Sequence, residues 1–231
     1  MAKRSYGQYC ALARALDTVG ERWTLLVVRE LMLGPKRYTD LLDALPGIGT
    51  NLLADRLKEL EQQGVVARTK LPPPAPAAVY ELTEYGRELE PAVVALTRWG
   101  SRELSRPRRG EQFRPAWLGL AMRAAFRPEA ATGFNEDYEF QIGSEVLHAC
   151  VKDGQLEVHR GPAQDPDLTF ICDARTLRKI LSGQLTLTDA VADDEARMAG
   201  ARSALARCAE VFGLTERSPE PATAAARKGL S

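Results

Sequence analysis

Residues 50–82 read TNLLADRLKELEQQGVVARTKLPPPAPAAVYEL. Leu53, Leu57 and Leu60 recur at helical spacing, so the stretch opens as an amphipathic helix, with Thr50 placed to cap it and Gly64 to end it. Asn51, Asp55, Lys58 and Gln62 then point away from the apolar stripe, and Arg56 lies at the margin of that polar face. Two extended segments follow, one carrying Val65, Val66 and Leu71 and the other Val79, Tyr80 and Leu82. Between them stands Pro72-Pro73-Pro74-Ala75-Pro76, whose prolines cannot donate backbone hydrogen bonds and so stay out of a strand ladder. Arg68 and Lys70 alternate onto one face of the first segment. Helix, strand, proline tip and strand in this order predict a winged helix, which presents its helix to a DNA groove and its wing to the flanking phosphates.

Upstream, three shorter helices are expected. Residues 10–19 place Leu12, Ala15, Leu16 and Val19 at helical spacing before Gly20. A second helix from Arg22 turns Trp23, Leu26, Val27, Leu31 and Leu33 inward and stops at Gly34-Pro35. A third, residues 38–45, carries Leu41, Leu42 and Leu45 and ends at Pro46-Gly47. The third and fourth form a helix-turn-helix, in which side chains near the start of the second member reach base edges and basic groups farther along meet phosphates. After the wing, Thr83 is placed to cap a long helix with Leu89, Val93, Leu96 and Trp99 on one stripe.

The run Tyr9-Cys10-Ala11-Leu12-Ala13-Arg14-Ala15-Leu16-Asp17-Thr18-Val19-Gly20-Glu21-Arg22-Trp23-Thr24-Leu25-Leu26 resembles the opening of HxlR-family winged helix-turn-helix transcriptional regulators. Arg29-Glu30-Leu31, Leu33-Gly34-Pro35-Lys36-Arg37-Tyr38, Leu45-Pro46-Gly47-Ile48, Arg56-Leu57-Lys58-Glu59-Leu60 and Tyr80-Glu81-Leu82-Thr83-Glu84-Tyr85-Gly86 continue the likeness in the family's order. The resemblance implies a homodimer built from the terminal helices of this domain, each subunit placing residues 50–62 in a major groove of a pseudo-palindromic operator. The candidate DNA-contacting residues are Lys36, Arg37, Thr50, Asn51, Asp55, Arg56, Lys58, Arg68 and Lys70. Two departures stand out. The wing tip reads Pro74-Ala75-Pro76-Ala77-Ala78 where relatives often carry an arginine, and the chain continues far past Trp99, where many relatives stop. Cys10 sits where some members have a redox-sensing cysteine; the other reading of it is a small buried hydrophobe.

The chain has 231 residues, 45% hydrophobic and 27% charged, enough for two modest cores, and its 31 basic and 31 acidic side chains leave no net charge. That balance excludes a nonspecific nucleic-acid binder with a strongly basic field, so DNA affinity has to come from a local patch. The first residues show no apolar signal core and no window approaches the ~20 apolar residues of a membrane span, which predicts a cytoplasmic protein without membrane contact. Cys10, Cys150, Cys172 and Cys208 are too widely spaced for a disulfide framework or a zinc ribbon.

Residues 102–113, including Arg106-Pro107-Arg108-Arg109-Gly110, are polar and broken by proline and glycine. The expected organisation is therefore a winged helix-turn-helix domain over 1–106, a linker at 107–113, a second domain over 114–215 and a disordered tail at 216–231. Residues 114–126 read as a strongly apolar helix; strand alternation follows at 137–142, 146–151, around Leu156 and Val158, and at 168–172, with Asp153-Gly154 as a hairpin turn. Helical spacing returns at 174–181, 188–192 and 201–212. An antiparallel sheet with helices on one side makes the whole chain α+β.

Through Val151-Lys152-Asp153-Gly154, Asp167-Leu168-Thr169-Phe170, Leu177 to Leu181 with Ser182-Gly183, and Met198-Ala199-Gly200, this half resembles the sterol carrier protein domain. The resemblance implies a cavity for an apolar small-molecule effector, with Trp117, Leu120, Ala121, Phe126, Phe134, Phe140, Leu147, Phe170, Leu177 and Leu181 as candidate lining.

Catalysis has little to stand on. His148 and His159 are the only histidines, and no nucleophile elbow, phosphate loop or metal-ligand spacing is present, so neither enzyme activity, cofactor nor metal is expected; Asp193-Asp194-Glu195 reads as solvated charge. The expected function is a DNA-binding regulator, with repression the expected direction, whose operator affinity responds to the apolar effector. The alternatives are a lipid-binding carrier dimerised by its first domain and a regulator sensing oxidants through Cys10.

Overall fold

The computed structural model describes residues 5–70, 77–104 and 110–215. The proline tip, the basic run 105–109 of the expected linker and the tail 216–231 lie outside them. The chain divides into two compact units, Met1–Thr97 and Arg98–Ser231, so the division falls before the 106/107 boundary read from the sequence.

The first unit runs α1 (Ala11–Val19), α2 (Thr24–Met32), α3 (Tyr38–Ala44), α4 (Thr50–Gln62), β1 (Val66–Lys70), β2 (Ala78–Leu82), α5 (Glu84–Arg87) and most of α6 (Glu90–Gly100), whose residues from Arg98 onward fall in the second unit. Leu53, Leu57 and Leu60 of α4 are buried as their spacing requires, and so are Val27, Leu31 and Leu41 of the same unit. Full burial stabilises each such side chain by about 1.5–3 kcal/mol. Thr50 is the first helical residue of α4 and not its cap; Gly49 occupies the cap position, and the Thr50 carbonyl accepts a 2.6 Å hydrogen bond from the Tyr38 hydroxyl that ties α3 to α4. Helix α2 begins at Thr24 because Trp23 stands in the left-handed region at φ 78°, outside helical geometry.

Strands β1 and β2 pair antiparallel from Val66↔Leu82 to Lys70↔Ala78. Lys36 adds a bridge to the second strand, its N–H donating to Tyr80 O at 3.0 Å and accepting back from Tyr80 N–H at 2.8 Å through its own carbonyl. Thr83 does cap, but the helix is the short α5, where its hydroxyl oxygen accepts from Gly86 N–H at 3.0 Å. Gly86 approaches β1 so closely that a Cβ there would sit 2.0 Å from the Val65 carbonyl oxygen, which leaves glycine the only residue that fits without backbone movement.

The apolar stripes of α1, α2 and α6 are only partly covered, and the inward placement expected of Leu26 is reversed. Leu12 and Leu16 of α1 are exposed, at 67% and 39%, while Ala13 and Val19 turn inward. Leu26 of α2 is also exposed. On α6 Val93 alone is buried, and Leu96 and Trp99 stand open to solvent. Periodicity marks an apolar face without saying what covers it.

The second unit carries α7 (Leu118–Ala125), β3 (Asn135–Ile142), β4 (Glu145–Lys152), β5 (Gln155–Arg160), β6 (Leu168–Cys172), α8 (Ala174–Leu181), α9 (Leu187–Ala192), β7 (Ala196–Gly200) and α10 (Arg202–Val211). The sheet order is β5-β4-β3-β6-β7; β3 and β6 run parallel and the other three pairings are antiparallel. Asp153 and Gly154 turn the β4–β5 hairpin with positive φ at both residues, 43° and 78°, the backbone that an Asp-Gly pair favours. Strand β7 was not visible in the sequence. Its Ala-Arg-Met-Ala-Gly lacks β-branched and aromatic residues, and its extended form comes from pairing with β6.

Tyr138, Phe140 and Ile142 of β3, Leu147 and Ala149 of β4, and Phe170 of β6 form the inner face of the sheet, covered by helices α7–α10. The other face carries His148 and Cys150 on β4 and Thr169 and Ile171 on β6.

Candidate DNA-reading surface and apolar cleft

Helix α4 turns one side into the core and leaves Asn51, Asp55 and Lys58 exposed on the other. A helix of this width enters a major groove, where an amide reads adenine bidentately, a carboxylate accepts from a cytosine amino group and a lysine meets guanine or phosphate. Arg68 and Lys70 are exposed on the same face of β1, with the Arg68 guanidinium 5.9 Å above the Tyr80 ring, and Arg37 is exposed at the start of α3. Arg37 N–H donates to Asp40 Oδ2 at 3.1 Å, which fixes the entry of that helix.

Two candidates are held by internal partners. Arg56, only 13% exposed, pairs with Glu59 on its own helix and reaches Glu21 Oε2 at 3.2 Å. Its guanidinium would have to leave both carboxylates to meet a phosphate, so its geometry is that of a brace between α4 and the α1–α2 turn. Lys36 Nζ lies 3.6 Å from Glu30 Oε2, and Arg29 Nη2 lies 2.8 Å from Glu30 Oε1. Glu30 is 1% exposed, and a buried carboxylate of this kind is tolerated only when paired. Sequence reasoning passed over Glu30 because a single acid in an apolar helix face gives no signal of its partners.

In the second unit a narrow apolar cleft, with about 20 Å3 of free interior space, lies between α7, the inner face of the sheet and α8. Of the expected lining residues Ala121, Phe140, Phe170, Leu177 and Leu181 are there. Trp117, Leu120, Phe126, Phe134 and Leu147 are not among its walls. Leu147 is packed in the core at 1% exposure; Phe126 lies tilted against Phe212 with 6.2 Å between ring centroids, and Phe134 lies under the Arg207 guanidinium at 6.0 Å. Leu118, Met122, Ala125, Ile180 and Leu187 complete the walls with Phe212 and Leu214. The last two come from the end of α10 and the residues after it, too far along the chain for helix periodicity to associate with α7.

Burial pushes the Cys172 thiol up to about 12 and raises the Cys208 thiol as well, so both stay protonated at neutral pH. Burial, helped by a hydrogen bond to Asp137, takes Cys150 up to about 11. Cys10 is the exposed cysteine, at the residue preceding α1. The sequence showed no metal-ligand spacing, yet strand register brings His148, Cys150 and His159 together, with one ligand atom of each within 4.8 Å of the others.

A helix-turn-helix with an exposed polar face on its second helix, followed by a two-stranded wing pinned at Lys36, defines the class of winged-helix DNA-binding proteins. Comparison with known proteins gives the family. Residues 18–108 match the family described as HxlR-like helix-turn-helix. An uncharacterized HTH-type transcriptional regulator of Synechocystis is 40% identical over 95 residues, covering 41% of this chain and 70% of that protein. The HTH-type transcriptional regulator YodB of Bacillus subtilis is 39% identical over 85 residues, 37% of this chain and 76% of that one. The structure of the redox regulator HypR in its oxidized form is 33% identical, covers 40% of this chain and 96% of that one, and has a TM-score of 0.38. This chain belongs to the HxlR-like helix-turn-helix family and is a transcriptional regulator with a helix-turn-helix DNA-binding domain. Residues 128–218 match the family described as alkyl sulfatase C-terminal, a different family from the sterol carrier domain that the sequence resembles. Among the described residues no helix is long and apolar enough to cross a membrane.

Proposed function

We propose that two copies of the chain bind a pseudo-palindromic operator through α4 and the wing, and that an apolar small molecule in the cleft of the second unit alters operator affinity. The observation that carries the first part is the outward face of α4, where Asn51, Asp55 and Lys58 are exposed on a helix whose opposite side is buried. Asn51→Ala and Lys58→Ala are each expected to weaken binding by about 1–3 kcal/mol, and Lys58→Ala to lower the salt slope by about 1 if it meets a phosphate. Arg56→Ala should do less, because its side chain is already engaged with Glu21 and Glu59. Fluorescence anisotropy on a duplex selected by the wild-type protein measures all three; unchanged affinity in both Asn51→Ala and Lys58→Ala would remove α4 from the interface.

The terminal helices α1 and α6 support the pairing of two copies, since each leaves an apolar stripe exposed, Leu12 with Leu16 and Leu96 with Trp99. Exposed apolar stripes on a small domain mark protein–protein contact.

The effector part rests on the cleft, whose lining side chains are all apolar. Such walls select by shape and apolar area, and binding rather than catalysis is their chemistry. An effector shifts operator affinity only to the extent that it binds the DNA-competent arrangement differently from the other. Ala121→Trp, which fills the cleft, is expected to weaken binding of a fluorescent long-chain fatty acid at least about 10-fold, the scale of one lost apolar anchor. Equal binding by this variant would place the probe elsewhere.

Oxidant control through Cys10 is a second reading, favoured by the exposure of its thiol beside α1. Under it, Cys10→Ser abolishes the loss of operator binding on diamide treatment; a variant that still responds to diamide ends that reading.

A further inference from the structure

Strands β4 and β5 place a second cluster of chemically active side chains on the sheet face opposite the apolar cleft. His148 and Cys150 are two residues apart on β4 and therefore share a face, and His159 lies directly across from His148 on β5. One ligand atom from each of the three lies within 4.8 Å of the others. His148 Nδ1 lies 2.9 Å from the Gly161 carbonyl oxygen. A carbonyl only accepts, so in the neutral ring Nδ1 holds the proton and Nε2 keeps its lone pair. Metal-binding histidines are oriented in this way, by a hydrogen bond from the other ring nitrogen. His159 Nε2 lies 3.2 Å from Glu157 Oε2, an acceptor that holds the proton there and leaves Nδ1 as the donor atom. Glu157 itself pairs across the ladder with Cys150.

We propose that His148, Cys150 and His159 form a binding site for a divalent transition-metal ion of the zinc type, with a water in the fourth position and Glu157 orienting the His159 ring. Two imidazoles and a thiolate suit a borderline-soft ion and poorly suit magnesium or calcium, which take oxygen ligands. Tetrahedral bonds of about 2.0–2.1 Å to nitrogen and 2.3 Å to sulfur set ligand atoms roughly 3.3–3.7 Å apart, so the separations have to close by on the order of 1 Å at most. Side-chain torsions supply that without moving the strands. On binding, the Cys150 S–H bond breaks and a sulfur–metal bond forms; the proton leaves past Asp137, which hydrogen-bonds the thiol, to solvent. The alternative is a solvated cross-strand histidine pair, stacked with 5.1 Å between centroids, that has no affinity for a metal.

The test uses the full chain carrying Cys10→Ser, so that Cys150 is the thiol outside the buried pair Cys172 and Cys208. Titration with Co2+ is expected to saturate at one equivalent, with a thiolate-to-cobalt charge-transfer band and the intense visible bands of four-coordinate cobalt, and Zn2+ should displace it. Cys150→Ser should abolish the charge-transfer band. His148→Ala and His159→Ala should each weaken Zn2+ binding at least about 10-fold against a chromophoric chelator, the loss that removing even a hydrogen-bonding partner of a metal ligand produces. A cobalt spectrum without thiolate character, or unchanged Zn2+ affinity in His159→Ala, whose exposed place on β5 spares the fold, overturns the proposal. The readout is metal binding alone and is independent of operator binding.

Discussion

Replacing Leu12 and Leu16 together by lysine is expected to lower operator affinity about 100- to 10,000-fold while leaving the isolated chain folded. Both side chains lie on the exposed face of α1, so the two substitutions together cost the monomer no more than about 1 kcal/mol. A second copy docking there meets four ammonium groups across the two-fold axis in place of an apolar stripe. The large effect on DNA follows from geometry. Two half-sites engaged by one dimer gain an effective concentration that a lone subunit lacks, and that gain spans about two to four orders of magnitude. Sedimentation should show monomers, circular dichroism an unchanged helix content, and anisotropy the lost affinity. A variant that remains a dimer at micromolar concentration would show that α1 does not pair the subunits.

The second large effect is internal. Glu30→Ala should destabilise the first unit by about 3–5 kcal/mol, because it leaves the Arg29 and Lys36 charges beside a vacated, nearly dry site. At about 4–8 °C per kcal/mol for a unit of this size, the calorimetric transition of that unit should fall by about 12 °C or more. The wing should suffer with it, since Lys36 carries both the ion pair and the backbone bridge to Tyr80. A fall of less than about 1 kcal/mol would mean that water or a rearranged Arg29 replaces the carboxylate at little cost.

Both predictions concern residues whose place was hard to see in the sequence. Charge near a helix-turn-helix marks Lys36 and Arg56 as candidate DNA contacts, and the fold also gives each a carboxylate partner within the protein. Helical spacing turns Leu26 inward on paper, and it lies at the surface, as do Leu12, Leu16 and Leu96 of the apolar stripes on α1 and α6. By contrast, Leu53, Leu57 and Leu60 were placed correctly, with Asn51, Asp55 and Lys58 opposite them. Their periodicity is a property of one helix and needs no distant partner to express it. The cleft lies between these cases: Ala121, Phe140, Phe170, Leu177 and Leu181 line it as expected, while Phe212 and Leu214 join them only because α10 ends over the sheet.

The sequence by itself determined the helices, the turn and wing that make a DNA-reading head, and the α+β character of the unit behind it. These depend on hydrophobic period, caps and prolines, all interactions among near neighbours along the chain. The tertiary structure alone decided which charges are consumed by Glu30, Glu21 and Glu59, which leucines are left uncovered, and that His148, Cys150 and His159 meet. Those outcomes rest on strand register and on packing between distant segments, where shifting one strand by a single residue turns every side chain to the other face.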